Sequence, residues 1–412
     1  MNSVGEKEAW FFFVDTGGTF TDCLGRSPDC KWFRAKVLSR GSLSAEAVKK
    51  TKDRKLKISK MDNCPHDFPS GFTLKVGGDK GFSTRINGWD VKSQVLTLED
   101  PLPMSVDLPV AVEMESGWEA PVLGMRLILA RNGLDWKSVN AEMRLATTRC
   151  TNALLEGKGT EPVLLITSGF GDLLEIGDQR RLGLFDLIPQ KRKILTQDII
   201  EIDERMGRDG QVLATPNYQE IQKIASGLIS SGKRNAVVSF LHSCCNPEHE
   251  IKVAEILSKS GFSKVVISSS IYNFPKWLPR LESAVVEAYL HDVLDDYLDQ
   301  VQDAFGYSDS LWVMGSAGGL QKRGNYRAID SLLSGPAAGV VGAGSVAKSA
   351  GLHDFINLDM GGTSTDVSRY SGKYGFQAPH QVGDARIAST AMNIETVAAG
   401  GGSICWLENG LL

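Results

Sequence analysis

Long apolar runs are the first thing this sequence lacks. Its apolar runs, such as residues 163–166 and 236–241, fall far short of the roughly 20 apolar residues that a membrane-crossing helix needs, so no membrane partner is expected. Cysteine is sparse. Its seven residues, with Cys244 and Cys245 adjacent, give neither the even count of a disulfide framework nor a Cys-x-x-Cys metal spacing. An excess of basic charge is missing too: the net charge of −4 leaves no footprint for nucleic acid or for an anionic membrane surface. Met1-Asn-Ser-Val-Gly-Glu-Lys-Glu8 leads into a short apolar run that ends at Asp15, unlike a signal peptide, and the expected compartment is the cytoplasm. Also absent are a Lys-bearing Walker loop and any spacing that suggests a Ser/His/Asp or Cys/His hydrolase triad.

What the chain has is length and a repeat. At 412 residues and 42% hydrophobic content it can bury a large core and is expected to divide into about two or three domains. Asp15-Thr-Gly-Gly-Thr-Phe-Thr-Asp22 returns, nearly letter for letter, as Asp359-Met-Gly-Gly-Thr-Ser-Thr-Asp366. Each copy follows a short apolar run, residues 10–14 and 355–358, so each reads as a strand that ends on a carboxylate and breaks into a tight turn. Paired glycines let the backbone take positive φ and approach a ligand. Exposed amides in such a turn form an anion-binding concavity, and the flanking Thr hydroxyls add donors. An aspartate beside bound phosphates makes chemical sense only with a divalent cation between them. The repeat therefore predicts two related lobes with Mg·ATP in a cleft between them. Asp15 and Asp359 are expected to hold the metal directly or through water, while backbone amides take the β and γ phosphates. Asp22 and Asp366 are expected to fix the turns by accepting backbone hydrogen bonds.

Along the chain, residues 23–26 and 32–38 read as the second and third strands of a hairpin-rich opening sheet. Residues from about 50 to 125 alternate apolar and polar between Gly and Pro punctuation, which predicts a small β-rich insertion, and Lys49 to Lys60 reads as a solvated face. Val122, Met125, Leu127 and Leu129 fall at helical spacing that stops near Gly133, and a further helix is expected over residues 136–145. Ala146-Thr-Thr-Arg-Cys-Thr-Asn-Ala-Leu-Leu-Glu-Gly-Lys-Gly159 is a Thr-rich turn leading into a helix ended by glycine. Residues 163–169 form a buried strand with a loop at its carboxyl end, the usual ligand position in open α/β sheets. Helices at 218–231 and 247–260 alternate with strands at 236–241 and 264–268, the pattern of a parallel α/β layer. A long helix over 281–305 carries Asp292, Asp295, Asp296 and Asp299 as a solvated stripe. Residues 333–344 open a small-residue helix just before the second loop.

Three clusters have two readings each. Glu175, Asp178, Gln179, Arg180 and Arg181 crowd together either as a site or as a surface salt-bridge cluster. Thr147, Thr148 and Asn152 carry no ionisable group, so their work is hydrogen bonding, to a ligand or to a helix start. His242-Ser-Cys-Cys-Asn-Pro-Glu-His249 contains four potential metal ligands, but Asn246 followed by Pro247 reads as a helix N-cap with proline in the first turn. That reading explains the segment without a metal.

Together, Val14-Asp-Thr-Gly-Gly-Thr-Phe-Thr-Asp22, Thr151-Asn-Ala-Leu-Leu-Glu-Gly-Lys-Gly159, Thr167-Ser-Gly-Phe-Gly-Asp-Leu-Leu-Glu-Ile-Gly177, Leu333-Ser-Gly-Pro-Ala-Ala-Gly-Val-Val-Gly-Ala343, Asp359-Met-Gly-Gly-Thr-Ser-Thr-Asp366 and Ala399-Gly-Gly-Gly-Ser-Ile404 resemble the hydantoinase A and 5-oxoprolinase group of ATP-dependent amidohydrolases, related to acetone and acetophenone carboxylase subunits. The resemblance implies an α/β, actin-like and sugar-kinase-like ATPase fold with duplicated ribonuclease H-type lobes. Residues 1–205 would be the N-terminal lobe and residues 206–412 the core domain, C-terminally incomplete because the glycine turn that cradles adenosine lies further on in the family. It implies ATP and Mg as cofactors. Gly17, Gly18, Thr19 and Thr21, with Gly361, Gly362, Thr363 and Thr365, would hold Mg·ATP alongside Asp15 and Asp359. Thr148, Asn152, Glu175, Gln179 and Arg181 would lie toward a lactam or cyclic imide that is phosphorylated on its carbonyl and then hydrolysed with a B-type subunit or domain. The same resemblance admits a ketone carboxylase subunit, and a non-catalytic nucleotide-binding module is the alternative of another class. Two stretches depart from the family pattern: Asp178-Gln-Arg-Arg-Leu182 stands for Arg-Gln-x-Arg-Pro, and Pro279-Arg-Leu-Glu-Ser283 follows the Glu-Arg-Thr pattern only loosely.

Overall fold

The computed structural model describes residues 9–404 apart from residues 60, 62, 79–80, 180–184, 186, 189–191, 307–309 and 363. The backbone gathers into two compact units. The first comprises Met1–Thr148, Asp296–Met314 and Leu320–Asn325, the second Arg149–Asp295, Gly315–Gly319 and Tyr326–Leu412.

In the first unit, strand Trp10–Thr16 turns Trp10, Phe12 and Val14 into the core. It pairs antiparallel with Phe20–Arg26, which pairs antiparallel with Trp32–Leu38. On its other edge it pairs parallel with Ala141–Thr147, and that strand pairs parallel with Leu311–Met314. Helix Ala120–Arg131 covers one face of this mixed sheet. Glu119 is its N-cap and Pro121 sits in its first turn, where a missing N–H costs nothing. The packing is close: a Cβ on Gly124 would lie 2.8 Å from the Cβ of Cys23, and one on Gly25 would lie 3.0 Å from the Phe12 ring. Gly124→Val, despite the better helix propensity of Val, is therefore expected to cost about 2–3 kcal/mol in chemical unfolding. A gain in stability would show that helix and sheet can separate at no cost.

The sheet continues into a closed ring. Strands Ser42–Lys52, Lys55–Ser59, Val95–Leu98, Phe82–Asp90, Thr73–Val76 and Val110–Glu115 pair antiparallel in that order, and the last pairs back onto the first. Leu56, Leu74, Ile86, Trp89, Leu96 and Met114 are buried in it. Among the described residues, closure leaves this ring without a long edge strand to recruit another chain.

The helix expected over residues 136–145 is not there. Trp136–Ser138 makes one 3₁₀ turn and Ala141–Thr147 is a strand. Ala141, Met143 and Leu145 are buried while Glu142 and Arg144 are half-buried, a period of two. The parallel partners on both edges favour that extended form.

In the second unit, strands Ile199–Ile202, Val163–Thr167, Asn235–Ser239 and Lys264–Ile267 form a parallel sheet in that order. Successive side chains of the central strands pass to opposite faces. Val163, Leu165, Ala236 and Val238 pack with Ile221 and Ala225 of helix Tyr218–Ser230 and with Val253 and Leu257 of helix Glu248–Lys259. Leu164, Ile166 and Val237 pack with Leu281, Ala284, Val285 and Ala288 of the long helix Trp277–Phe305. The acidic stripe of that helix is only partly solvated: Asp292 accepts from the Asn235 amide at 2.9 Å, and Asp299 pairs with Arg323. A second, antiparallel sheet is made of Asp354–Met360, Thr365–Ser371 and Ile394–Val397. Helix Ser334–Ser349 supplies Ala337 and Val340 to a small core with Met392 and Ile394.

Candidate functional site

The repeated octapeptide folds twice into the same hairpin. In the first copy Asp15 lies opposite Asp22 and Thr16 opposite Thr21; in the second Asp359 lies opposite Asp366 and Met360 opposite Thr365. The turn closes identically, with the Gly17 amide donating to Phe20 O at 3.1 Å and the Gly361 amide to Ser364 O at 2.8 Å. Positive φ is not the reason for these glycines. Gly17, Gly361 and Gly362 all lie outside the left-handed region. Close approach explains two of them, since a Cβ would stand 3.2 Å from Phe20 O at Gly17 and 3.3 Å from Ser364 O at Gly361.

Each hairpin is held from behind in an analogous way. In the first copy the Ser39 hydroxyl donates to Gly17 O at 2.7 Å and lies 3.1 Å from the hydroxyl of the buried Thr21. In the second, the Thr365 hydroxyl donates to Ala399 O at 2.5 Å, while the amides of Gly401 and Gly402 donate to Gly361 O and Gly362 O at 2.9 Å each. Thr21 and Thr365 thus anchor the hairpins with their hydroxyls. The glycine run 400–402 is the second loop's support.

Asp22 and Asp366 point to the third strand of each sheet rather than to turn amides, which corrects the expectation. Asp22 accepts from Lys36 and Arg34 at 2.7 Å each, and Asp366 accepts from the Thr396 hydroxyl at 2.7 Å. Burial pushes the Asp22 carboxyl up, but the Lys36 and Arg34 hydrogen bonds and charges outweigh it and hold the group below its ordinary value. Lys36 and Thr396 occupy the same register position in the two copies, opposite Asp22 and Asp366. Sequence comparison of the octapeptides alone cannot find them.

The other strand-end carboxylates face solvent: Asp15 and Asp359 are both exposed. Around Asp15 the first unit gathers hydroxyls. Thr148 donates its amide and hydroxyl to Thr16 O at 3.0 and 3.2 Å, and the Tyr297 hydroxyl donates to Thr16 Oγ1 at 3.3 Å. Below Asp359 runs the small-residue helix, where a Cβ on Gly339 would come 3.6 Å from the Asp359 carboxylate. Among the described residues no group of three or more His, Cys, Asp or Glu side chains gathers to hold a metal by itself. A single exposed carboxylate fits a Mg²⁺ that brings phosphate and water ligands of its own, which is how that ion is usually bound.

Of the residues expected toward a substrate, Thr148 belongs to the first unit, and Asn152, Glu175 and Gln179 to the second. Asn152 is half-buried on helix Arg149–Glu156, whose Thr151 hydroxyl donates to Leu332 O at 2.5 Å and so ties the Thr151-Asn-Ala stretch to Leu333-Ser-Gly-Pro. Glu175 and Gln179 are exposed, on and just after the short helix Leu173–Ile176, and Gln179 takes a φ of 60°. Asp178 pairs with Arg386 at 2.5 Å. Arg181 and Thr363 lie outside the described residues, as does Arg180.

In the histidine and cysteine segment, each side chain has a partner of its own. His242 Nδ1 lies 2.9 Å from Met206 O, and buried His249 lies 2.7 Å from Glu204. Cys244 and Cys245 neighbour each other, and the Asn246 side chain accepts from the Glu248 amide at 3.1 Å; the N-cap position itself falls to Pro247, one residue later than expected, because the helix begins at Glu248.

The sequence did not single out two residues that line a cavity of about 180 Å³ in the second unit, Arg192 and Glu282. Arg192 Nη1 donates to Glu282 Oε1 at 2.7 Å and Nη2 to Asp384 O at 2.8 Å. Glu282 is only 7% exposed, and Val285 and Val286, three and four residues further along the same helix, line the cavity with it. A glutamate at helical spacing from two buried valines was the available signal. Burial pushes its carboxyl up against the downward pull of Arg192 and Arg386, with Asp178 adding to the rise. A raised carboxyl binds its proton more readily folded than unfolded, so its contribution to stability is present in acid and is lost as pH rises through the folded-state value. As pH rises from about 4, the ordinary range of a glutamate, wild-type stability should therefore fall relative to Glu282→Gln, read from urea midpoints. A constant difference would show that Glu282 titrates alike in the folded and unfolded chain.

Residues 105–261 match the family model for the hydantoinase/oxoprolinase N-terminal region, and residues 280–411 match the hydantoinase/oxoprolinase model. The chain is 35% identical to the 5-oxoprolinase of Saccharomyces cerevisiae over 309 residues, 68% of this chain and 24% of that protein. It is 25% identical to the acetophenone carboxylase gamma subunit of Aromatoleum aromaticum over 418 residues, 96% of this chain and 47% of that one. The chain spans about a quarter of the length of the curated 5-oxoprolinases it matches. Among solved structures, nucleotide-free acetone carboxylase aligns with a TM-score of 0.68 at 20% identity, and the ATP-dependent caprolactamase of Pseudomonas jessenii with 0.64 at 21%; each alignment covers 97% of this chain and 49% of the other. At these identities the likeness is one of fold alone, α/β around a large mixed sheet.

Proposed function

The chain belongs to the hydantoinase/oxoprolinase family, and we propose that it is the ATP-using part of a hydrolase that opens small lactam or cyclic imide rings such as 5-oxoproline or hydantoins. The observation that carries this is the hairpin repeated in one register, with Asp15 and Asp359 exposed at equivalent positions. In this reading the turn amides at Gly18 and Thr19, and at Gly362 and Thr363, receive phosphate oxygens, the Gly17 and Gly361 amides being engaged in closing the turns, and the two aspartates serve Mg²⁺. Thr21 and Thr365 hold the hairpins in shape. Thr148, Asn152, Glu175, Gln179 and Arg181 serve the ring substrate.

The chemistry is sound on first principles. An amide carbonyl is a poor electrophile, and phosphate on its oxygen turns that oxygen into a leaving group for attack by water. Bound Mg·ATP would supply the phosphoryl group and neutralise its developing charge. The chain's own part is positioning and electrostatics. A B-type subunit or domain is the proposed partner for hydrolysis, and the cytoplasm the proposed location. The likeness to a carboxylase gamma subunit over 96% of the chain supports a second reading, in which the same fold activates a ketone or bicarbonate.

The deciding experiment measures ATP hydrolysis with 5-oxoproline, hydantoins or ketones, in the presence of the candidate B-type partner. Stimulation by cyclic amides is the expected result. Stimulation by ketones with bicarbonate alone would replace the first reading with the second.

A further inference from the structure

The loop that carries Gln179 is bent in a way its own sequence does not favour. Helix Leu173–Ile176 ends at Gly177, with a φ of 57°, and two residues further on Gln179 takes a φ of 60°. Glycine adopts that left-handed region freely, whereas a glutamine Cβ crowds the following carbonyl there, so Gln179 keeps the conformation only where its surroundings hold it. One backbone contact helps: the Gln179 amide donates to Ile176 O at 3.2 Å. The stronger hold is on the residue between them. Asp178 Oδ2 accepts from Arg386 Nη2 at 2.5 Å, and the two side chains are only 24% and 25% exposed, so the pair is screened less than a surface bridge.

Arg386 is itself held in place. It is the middle residue of strand Ala385–Ile387, which pairs antiparallel with His380–Val382 in a small hairpin. Contacts on both sides of Arg386 dock that hairpin. Arg192, paired with Glu282 of the long helix, donates to Asp384 O at 2.8 Å, and the Ala388 amide donates to the Ser283 hydroxyl of the same helix at 2.8 Å. Buried His380 closes the base of the hairpin, with Nδ1 3.1 Å from Ser389 O. The guanidinium therefore meets Asp178 from a fixed support, and the loop takes its shape from the hairpin. We propose that Arg386 is a positioning residue: by holding Asp178 it keeps residues 177–179 in the bent form that presents Gln179 and Glu175, both exposed, to the ring substrate. That Gln179 and Glu175 serve the substrate rests on the proposed function; the anchoring of the loop does not.

Two readouts test this: ATP hydrolysis by the complete assembly with 5-oxoproline and hydantoin as probes, and hydrogen exchange at residues 173–179 of the full chain. Arg386→Gln should raise KM for the cyclic amide about 10-fold or more, the scale of losing a hydrogen bond between charged groups, while KM for ATP and the melting temperature stay near wild type. Amide exchange at residues 173–179 should quicken by a similar factor of about 10. Arg386→Lys keeps the charge but not the forked geometry, so its KM should fall between the two. Reversing the pair, Asp178→Arg with Arg386→Asp, should recover most of what either single change loses. An unchanged KM in Arg386→Gln, where the wild type responds to a cyclic amide, overturns the inference and leaves the proposed function standing. Loss of kcat and melting temperature together, with KM unmoved and no recovery in the reversed pair, marks a merely structural contact and overturns it too. Faster exchange in Arg386→Gln, beside a wild type that neither probe stimulates, overturns the proposed function and leaves the anchor in place. Unchanged exchange removes the anchor.

Discussion

Replacing Asp15 by Asn is expected to lower lactam-stimulated ATP hydrolysis by roughly 10²- to 10³-fold in the complete assembly, the usual scale for deleting one preorganised electrostatic group. Asn keeps the size and the strand position, and Asp15 is exposed, so the fold has little stake in its charge. Thr16, by contrast, is buried in the next position, with its carbonyl receiving Thr148 and its hydroxyl receiving Tyr297. That contrast separates chemistry from architecture within two residues. The melting temperature of Asp15→Asn should match wild type while turnover collapses. Asp359→Asn should behave alike, because it holds the same register position in the second hairpin. Full turnover in Asp15→Asn would remove the metal role from this carboxylate.

A loss of about 4 kcal/mol or more is expected for Glu250→Leu, measured by urea unfolding. Glu250 is wholly buried, and its two oxygens accept five hydrogen bonds. The Phe240 amide and the Ser243 and Ser268 hydroxyls reach Oε1 at 2.9, 2.8 and 2.7 Å, while the Ser269 amide and hydroxyl reach Oε2 at 3.0 and 2.6 Å. Arg280, also wholly buried, joins the same knot through Ser268 and through Phe240 O. A leucine of similar volume strands these donors and leaves the guanidinium without the carboxylate's balancing charge. Glu250→Gln should cost less, since the amide oxygen still serves one set of donors. A midpoint near wild type for Glu250→Leu would show that water replaces the carboxylate, and that the knot is not what locks the carboxyl ends of strands Asn235–Ser239 and Lys264–Ile267.

The hairpins were legible in the sequence because everything that makes them is local. An apolar run, a carboxylate, a glycine turn and a threonine determine a strand and its reversal within eight residues, and the repetition doubled the signal. Alternation of helix and strand likewise showed the parallel layer between residues 163 and 267, since burial on both faces demands apolar strands. The stretch 136–145 was misread because Ala141 and Leu145 suit a helix face as well as a strand. Only pairing on both edges decides it.

By itself, then, the sequence determined the elements outside residues 136–145, the duplicated carboxylate turns and the family. The tertiary structure decided the partners. It alone closes Val110–Glu115 onto Ser42–Lys52, returns Asp296–Met314 to the first unit, gives Asp22 and Asp366 their third-strand neighbours, and sets Arg192 against Glu282. The physical reason is that periodicity records which face of an element is buried, whereas the choice of neighbour depends on loop closures whose entropy changes slowly with length and leaves no mark on local composition.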